Sequence, residues 1–400
     1  MTRTDRDRVL LAGVVFAVLL AQTLLYPGIS DLVAALGATT SLDASMWFLV
    51  AEFAAFVVFV GVWGAASDAA GQRVPFIAAG ALGGGVGYAA LALAPAVTDL
   101  SFGAVLVVRA LQGAATIGAF SLAMTMLMDL EGGHGRNMGA AGIAIGLGTA
   151  TGAPLGGQLT EVTPLAPLYL ASVLLFAAGG LVALVPDRAA AREGGLRGAL
   201  TNLTATPTLS VPYAFGFIDR LTAGFFALVG TLYFRTAFDL GPGAAGLMLA
   251  LFFAPFALLQ YPFGALSDRY GRRLPIVAGS AAYGLVVIAV GHAPTVSLAG
   301  AGMVLVGVLG ALMAPATMAL VTDLAPERDR GTAMGGFNLF GSLGFLAGFL
   351  LGGTVADAYG FGTAFLVVGA LEVLLAAVTL PVLLRLDIDR TGTFGGTDEA

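Results

Sequence analysis

The chain has 400 residues, 58% of them hydrophobic and only 10% charged, with a net charge of −6. A soluble protein of this length carries roughly 25% charge, so nearly the whole chain belongs in lipid. Lysine and cysteine are absent and His134 and His292 are the only histidines, which removes P-loop nucleotide chemistry, Schiff-base and thiol nucleophiles, HExxH zinc sites and disulfides.

Only helices and closed barrels satisfy their backbone in lipid. The apolar runs are about 20 residues long and do not alternate, so they read as helices. Arg3, Arg6 and Arg8 precede an apolar run that begins at Val9 and continues to Pro27, which reads as a retained first helix rather than a cleaved signal. Twelve spans are expected, near 9–28, 45–63, 74–94, 101–127, 137–158, 166–186, 211–234, 243–263, 274–291, 296–321, 333–355 and 361–384. Several loops between them are so short that the joined helices must be antiparallel neighbours.

Twelve spans alternate sides, so the arginines test the count. With the N-terminus inside, the cytoplasmic segments hold Arg3, Arg6, Arg8, Arg73, Arg136, Arg188, Arg192, Arg197, Arg269, Arg272, Arg273, Arg328, Arg330, Arg385 and Arg390. The outer loops hold Arg235 alone, with Asp31, Asp43, Asp99, Glu161, Asp239 and Asp357. That asymmetry predicts both termini in the cytoplasm. The longest connection, 187–210, reads as a cytoplasmic linker between an N-terminal six-helix bundle (1–186) and a C-terminal one (211–386), followed by a disordered tail (387–400).

The second half repeats the first. After span two the chain reads Gly64-Ala-Ala-Ser-Asp68-Ala-Ala-Gly71-Gln-Arg73, and after span eight Gly264-Ala-Leu-Ser-Asp268-Arg-Tyr-Gly271-Arg272-Arg273, each followed at once by Pro75 or Pro275 and a new span. Glycine permits the sharp turn, and the aspartate can face a helix N-terminus or an arginine. Span four contains Arg109-Ala-Leu-Gln112-Gly113, with Arg109 and Gln112 on one helix face. Span five ends Gly148-x-x-x-Gly152-Ala-Pro154-Leu-Gly156-Gly157, and span eleven holds Gly344-x-x-x-Gly348-x-x-x-Gly352-Gly353. These glycines are expected to pack spans five and eight, or eleven and two, closely, with a bend at Pro154. A matching pair of loops, from Asp129 to Gly139 and from Asp323 to Gly335, is expected to supply charged partners to the turns.

On these residues the chain resembles the major facilitator superfamily. The turns resemble its signature G-x-L-a-D-r-x-G-r-k, the second copy closely, the first with Ala66 and Ala69 at the bulky and arginine positions. Arg109-x-x-Gln112-Gly113 resembles its fourth-helix motif, and Gly148 to Gly157 its antiporter motif with the proline one place late. The resemblance covers about 9 to 385 and is closest in motif to the drug/proton antiporters. It implies an all-α integral membrane fold of 12 transmembrane helices in two pseudo-symmetric six-helix bundles, with Asp68 and Asp268 bracing a cytoplasmic gate and spans one, four, seven and ten lining a central cavity.

Five ionisable groups fall inside spans: Glu52, Arg109, Asp219, Arg220 and Glu372. Such residues are functional candidates by default. Asp219 is expected to pair with Arg109 across the bundles, or with the neighbours of Arg220, and Asp219 or Glu52 to carry a proton. Glu372 is expected to pack against a neighbouring helix. Gln22, Tyr26 and Gln112 add neutral polar groups to an otherwise apolar cavity of Phe225, Phe226, Phe252, Phe253, Met124, Met313 and Met318, which suits hydrophobic or amphipathic compounds.

The sequence therefore predicts a secondary active transporter of the cell membrane, not an enzyme, working by alternating access. It favours proton-coupled efflux, with a small-molecule substrate, protons or another ion and the lipid bilayer as partners, and no cofactor, metal, nucleotide or nucleic acid. A monomer is expected. An importer or facilitator on the same fold, and a non-transporting receptor or scaffold, are the alternatives.

Overall fold

The computed structural model describes residues 2–40, 42–98, 100–131, 134–187, 206–326 and 329–385. Of the expected linker, 187–210, residues 188–205 lie outside them, as do the expected tail and Asp99, Arg188, Arg192, Arg197, Arg328 and Arg390.

A helix occupies each of the twelve expected places. Spans one to six are Arg3–Thr23, Leu42–Ala70, Val74–Val97, Phe102–Met128, His134–Val162 and Ala166–Val182. Span seven is compound: Ser210–Phe225, a π-helical turn over Phe226–Gly230, then Thr231–Ala237. Spans eight to twelve are Pro242–Tyr270, Arg273–Gly291, Val296–Leu324, Arg330–Tyr359 and Phe361–Arg385. Among the described residues, nine of these helices are long and apolar enough to cross a membrane. Span one falls outside that group because Arg6, Asp7 and Arg8 lie within its length, and span six has 17 residues. Span one also ends earlier than expected, at Thr23, and a separate short helix follows at Ile29–Ala35.

Local chemistry repeats between the halves. Spans four and ten each start at a hydroxyl cap, Ser101 accepting from the Ala104 amide and Thr295 from the Leu298 amide. The turns after spans two and eight each pivot on a glycine with positive φ, +62° at Gly71 and +91° at Gly271.

Within the first half, span four packs on spans two and three, and span one on spans five and six. Within the second half, span ten packs on spans eight and nine, span seven on eleven, and nine on twelve. The halves meet along two crossings, five against eight and two against eleven.

The glycine ridges correct one expectation. Gly148, Gly152 and Gly156 face span one, where an added Cβ would press on Leu19 and Leu20, Thr23 and Leu24. Gly344, Gly348 and Gly352 face span seven at Phe217, Leu221 and Phe225. Both ridges thus serve packing within a half. Only the last residue of each crosses the seam, Gly157 to Pro242 of span eight and Gly353 to Met46 of span two. The helix runs through Pro154 as one element, and Gly246 of span eight fits against Ala153 and Pro154.

Candidate functional site

The buried charges of the first half collect into one cluster. Arg109, Gln112, Gly113 and Thr116 occupy one face of span four at i, i+3, i+4 and i+7 spacing. Gly113 lies against the backbone of Glu52, where a Cβ would sit 2.8 Å from its carbonyl oxygen. That close approach of spans two and four brings the Glu52 carboxylate to the guanidinium: Arg109 Nη2 lies 2.5 Å from Glu52 Oε2, and neither side chain has any exposed surface. Arg109 Nη1 donates to Gln112 Oε1 at 2.6 Å, and Gln112 Nε2 donates to Thr116 Oγ1 at 2.7 Å. Tyr88 of span three donates to Glu52 Oε1 at 3.4 Å. The guanidinium also stacks on Phe48 and Tyr88, 4.6 and 5.3 Å from the ring centroids.

Gln22 near the end of span one and Tyr26 in the turn after it close the cluster. Tyr26 lies within electrostatic reach of both Glu52 and Arg109. Gln22 Nε2, Tyr26 Oη and Arg109 Nε are buried with no hydrogen-bond partner among the described residues. Three unsatisfied polar groups around one ion pair are unusual in a packed interior.

This placement corrects the expected pairing of Asp219 with Arg109, since Arg109 is held by Glu52 of its own half. It also places Gln112 in this buried cluster rather than among the polar groups expected in an apolar cavity. Arg109 is 0% and Gln112 1% exposed, because a guanidinium finds its counter-charge more readily on the adjacent helix than across the seam. Tyr88 and Thr116 escaped the sequence reading, as neutral residues without a motif.

Asp219 and Arg220 lie elsewhere, on span seven. Arg220 packs along Gly341 of span eleven. Behind Asp219, Glu372 of span twelve accepts from Ser280 Oγ of span nine at 2.6 Å and faces Thr222 Oγ1 of span seven at 3.4 Å. Glu372 thus packs against neighbouring helices.

The expected aromatic cavity lining is instead a packed core. Phe225 and Phe226 are fully buried, and Phe226 packs on Phe252, which packs on Phe253. Met313 is also buried, whereas Met124 and Met318 are half-buried. An apolar groove of about 520 Å³ lies between spans seven, eleven and twelve, lined by Tyr213, Phe217, Ile218, Phe340, Leu371 and Leu375 among others.

At the arginine-rich end the motif turns are tied within their own halves. Arg73 is buried and pairs with Asp129 at 2.5 Å, while Asp187 accepts from the amides of Arg73 and Val74 and so caps span three. In the second half Arg272 pairs with Asp268 and, at 3.2 Å, with Asp323. Asp129, the C-cap of span four, and Asp323, in the last turn of span ten, open the two matching segments. Asp68 is exposed and has no hydrogen-bond or ionic partner among the described residues. A Cβ added at Gly64, Gly139, Gly142, Gly331 or Gly335 would meet nothing within 4 Å.

The opposite end is closed across the seam. Arg235 Nη1 lies 2.5 Å from Asp31 Oδ2 and 2.5 Å from Ser30 Oγ, and the Gly243 amide donates to Glu161 Oε1 at 3.0 Å. Midway, Phe53 of span two stacks on Phe345 of span eleven at 4.8 Å and meets Phe349 edge-on at 5.1 Å.

The chain matches the family model of the Major Facilitator Superfamily twice, over residues 11–234 and 212–398. It is 33% identical over 167 residues to an uncharacterized MFS-type transporter of Methanocaldococcus jannaschii, covering 41% of this chain and 42% of that one. It is 32% identical over 179 residues to a quinolone resistance transporter of Acinetobacter baumannii, 43% and 40% of the two chains. The matched stretch therefore spans less than half the length of these two relatives. The class G tetracycline resistance protein of Vibrio anguillarum is 28% identical over 302 residues, 73% of this chain and 75% of that one. Among solved structures, a bacterial homolog of the human lysosomal transporter Spinster, inward-facing and occupied, superposes with TM-score 0.78 at 14% identity, covering 95% and 96% of the chains. The human organic anion transporter MFSD10 gives 0.68 at 20% identity, covering 94% and 100%. These two show the fold. With the same family model matching each half, the chain belongs to the Major Facilitator Superfamily, a family of multi-pass membrane transporters and not of enzymes.

Proposed function

We propose that the chain is a proton-coupled exporter of small hydrophobic or amphipathic compounds, a plasma-membrane protein working by alternating access between two six-helix bundles, 1–186 and 211–386. The observation that carries this reading is the fully buried Glu52–Arg109 pair, with Gln22 Nε2, Tyr26 Oη and Arg109 Nε around it lacking hydrogen-bond partners among the described residues. A proton delivered to Glu52 yields a neutral acid and leaves the Arg109 charge without its counter-ion. An unpaired buried charge is costly, so protonation biases the helices that hold it. Gln112 and Thr116 keep the guanidinium placed while the proton moves.

The arrangement fits an inward-facing state. The Arg235–Asp31 pair and the Glu161–Gly243 bond close one end, the Phe53–Phe345 stack joins the halves midway, and the Asp68 side chain has no partner among the described residues at the other. In the alternate state Asp68 and Asp268, with their glycine turns at Gly71 and Gly271, would form the cytoplasmic gate. Both termini lie inside, by the arginine asymmetry, and the protein acts as a monomer. The resistance proteins among the relatives and the apolar groove support a hydrophobic cargo.

The test is reconstitution in liposomes with an internal pH dye, an imposed pH gradient and a panel of lipophilic cations, drugs and small metabolites. Cargo-triggered proton movement lost in Glu52→Gln and Arg109→Ala is the expected result. Cargo flux without proton movement would overturn the coupling and favour a facilitator.

A further inference from the structure

The second half holds a buried acid that the transport reading leaves unused. Glu372, Ser280, Thr222 and Tyr283 each have 0% exposure. They come from spans twelve, nine and seven, which pack together. The first half solves the problem of a buried acid with Arg109; here no cation takes that part. Neither Glu372 nor Asp219 is in an ion pair among the described residues, and Arg220, the charged neighbour of Asp219, lies toward Gly341 of span eleven. An isolated carboxylate in a medium without water is so unfavourable that the group holds a proton or a cation instead.

Hydrogen-bond accounting fits an acid that gains and loses a proton. A hydroxyl has one hydrogen to give. Thr222 Oγ1 lies 3.2 Å from the Ile218 carbonyl oxygen, the i−4 partner of its own helix, and 3.4 Å from Glu372 Oε1. If its hydrogen goes to Ile218, its lone pair faces Glu372 and calls for a hydrogen from the acid. Ser280 meanwhile donates to Glu372 Oε2 at 2.6 Å. With the Thr222 hydrogen on Ile218, a protonated Glu372 satisfies all three groups; with it on Glu372 Oε1, the ionised form accepts from both Thr222 and Ser280, so the pocket accommodates the acid in either state.

A second observation marks the place as a site. Tyr283 Oη is fully buried with no hydrogen-bond partner among the described residues, and Asp219 lies three residues before Thr222, on the same face of span seven. Asp219 is the one member of the group with exposed surface.

We propose that Glu372, with Ser280, Thr222 and Tyr283, is a second proton site in the C-terminal half, exchanging its proton through Asp219. In the exchange the Glu372 O–H bond breaks, the Asp219 carboxylate takes the proton, and the Ser280 and Thr222 hydroxyls donate to the Glu372 carboxylate left behind. The inference rests on the proton-coupled reading only for what the proton drives; the proton itself is tested on the resting protein.

The experiment is infrared difference spectroscopy of the full chain in lipid nanodiscs across a pH series, in water and in deuterium oxide. A carbonyl-stretch band of a protonated carboxylic acid, shifted by deuterium, is expected in the wild type and lost in Glu372→Gln. Tyr283→Phe, which removes a hydroxyl that holds no bond, is expected to keep the band and change the pH at which it disappears. Glu52→Gln, which tests the transport reading, is expected to leave the band in place, so the two readings fail separately. An identical band in Glu372→Gln, or a Tyr283→Phe titration superimposable on the wild type, overturns the site. So does saturable binding of sodium ion that Glu372→Gln abolishes, which would make it a sodium site.

Discussion

Arg235, the only arginine expected on the outer face, holds Asp31 at 2.5 Å across the seam between the two halves. Both side chains are partly exposed, at 18% and 34%, so solvent screening limits the pair to about 1 kcal/mol. Even that amount, if present only in the closed-outside state, shifts a two-state population about fivefold. Because the chain has no cysteine, a single Met46→Cys reports the seam cleanly: Met46 is 4% exposed and sits on Gly353 of the other half. Arg235→Ala is expected to raise the labelling rate at that cysteine about fivefold. An unchanged rate would show that the pair does not latch the outer end.

The Glu52–Arg109 pair predicts an asymmetry between single and double changes. Removing one partner leaves an uncompensated buried charge, which costs about 3–5 kcal/mol. Glu52→Gln therefore lowers thermal stability strongly. Adding Arg109→Gln to it removes the orphaned charge and recovers part of the loss. Thermal unfolding in detergent followed by size-exclusion chromatography measures both. A double variant less stable than the sum of the two singles would contradict the pairing.

Much of this arrangement is legible in the residues themselves. The twelve places of the helices follow from apolar run length, and the two motif turns from a repeat about two hundred positions apart. Arg109 and Gln112 share a face because three residues is nearly one helical turn. Their partner was not legible. Periodicity states which residues share a face, but not which neighbouring helix that face meets, and Glu52 offers no spacing relation to Arg109. The glycine ridges failed for the same reason: Gly148 and Gly344 mark a close approach without naming the helix that approaches. Tyr88, Ser280 and Tyr283 carry no charge and no motif, so only packing reveals them beside an acid.

The ridges make a contrast that separates packing from composition. At Gly344 an added Cβ would lie 2.8 Å from the Phe217 carbonyl carbon and 2.9 Å from its Cα, all backbone that cannot turn aside. Gly344→Ala is expected to cost about 1–3 kcal/mol through overpacking. Gly335, on the same helix, meets nothing within 4 Å, so Gly335→Ala is expected to be neutral or to stabilise by up to about 1 kcal/mol through helix propensity. Melting temperatures of the two variants decide it, and equal effects would remove the ridge from the argument.

The two motif glycines are not equivalent, although they occupy the same place in the repeat. Gly71 has φ +62°, in the left-handed region that asparagine also visits. Gly271 has φ +91° and ψ 163°, a region open essentially to glycine alone, where other residues carry about 1–3 kcal/mol of strain. Gly71→Asn is therefore expected to keep stability and transport, while Gly271→Asn loses about 1–3 kcal/mol. The strain falls beside Arg272, which ties the turn to Asp268 and Asp323, so the same variant is expected to loosen that tie. Thiol labelling of a single Leu266→Cys, two residues before Asp268, reads the loosening, and stability reads the strain. A Gly271→Asn protein as stable as Gly71→Asn would mean that the turn relaxes into ordinary geometry, and that the second copy of the motif needs its glycine for something other than backbone shape.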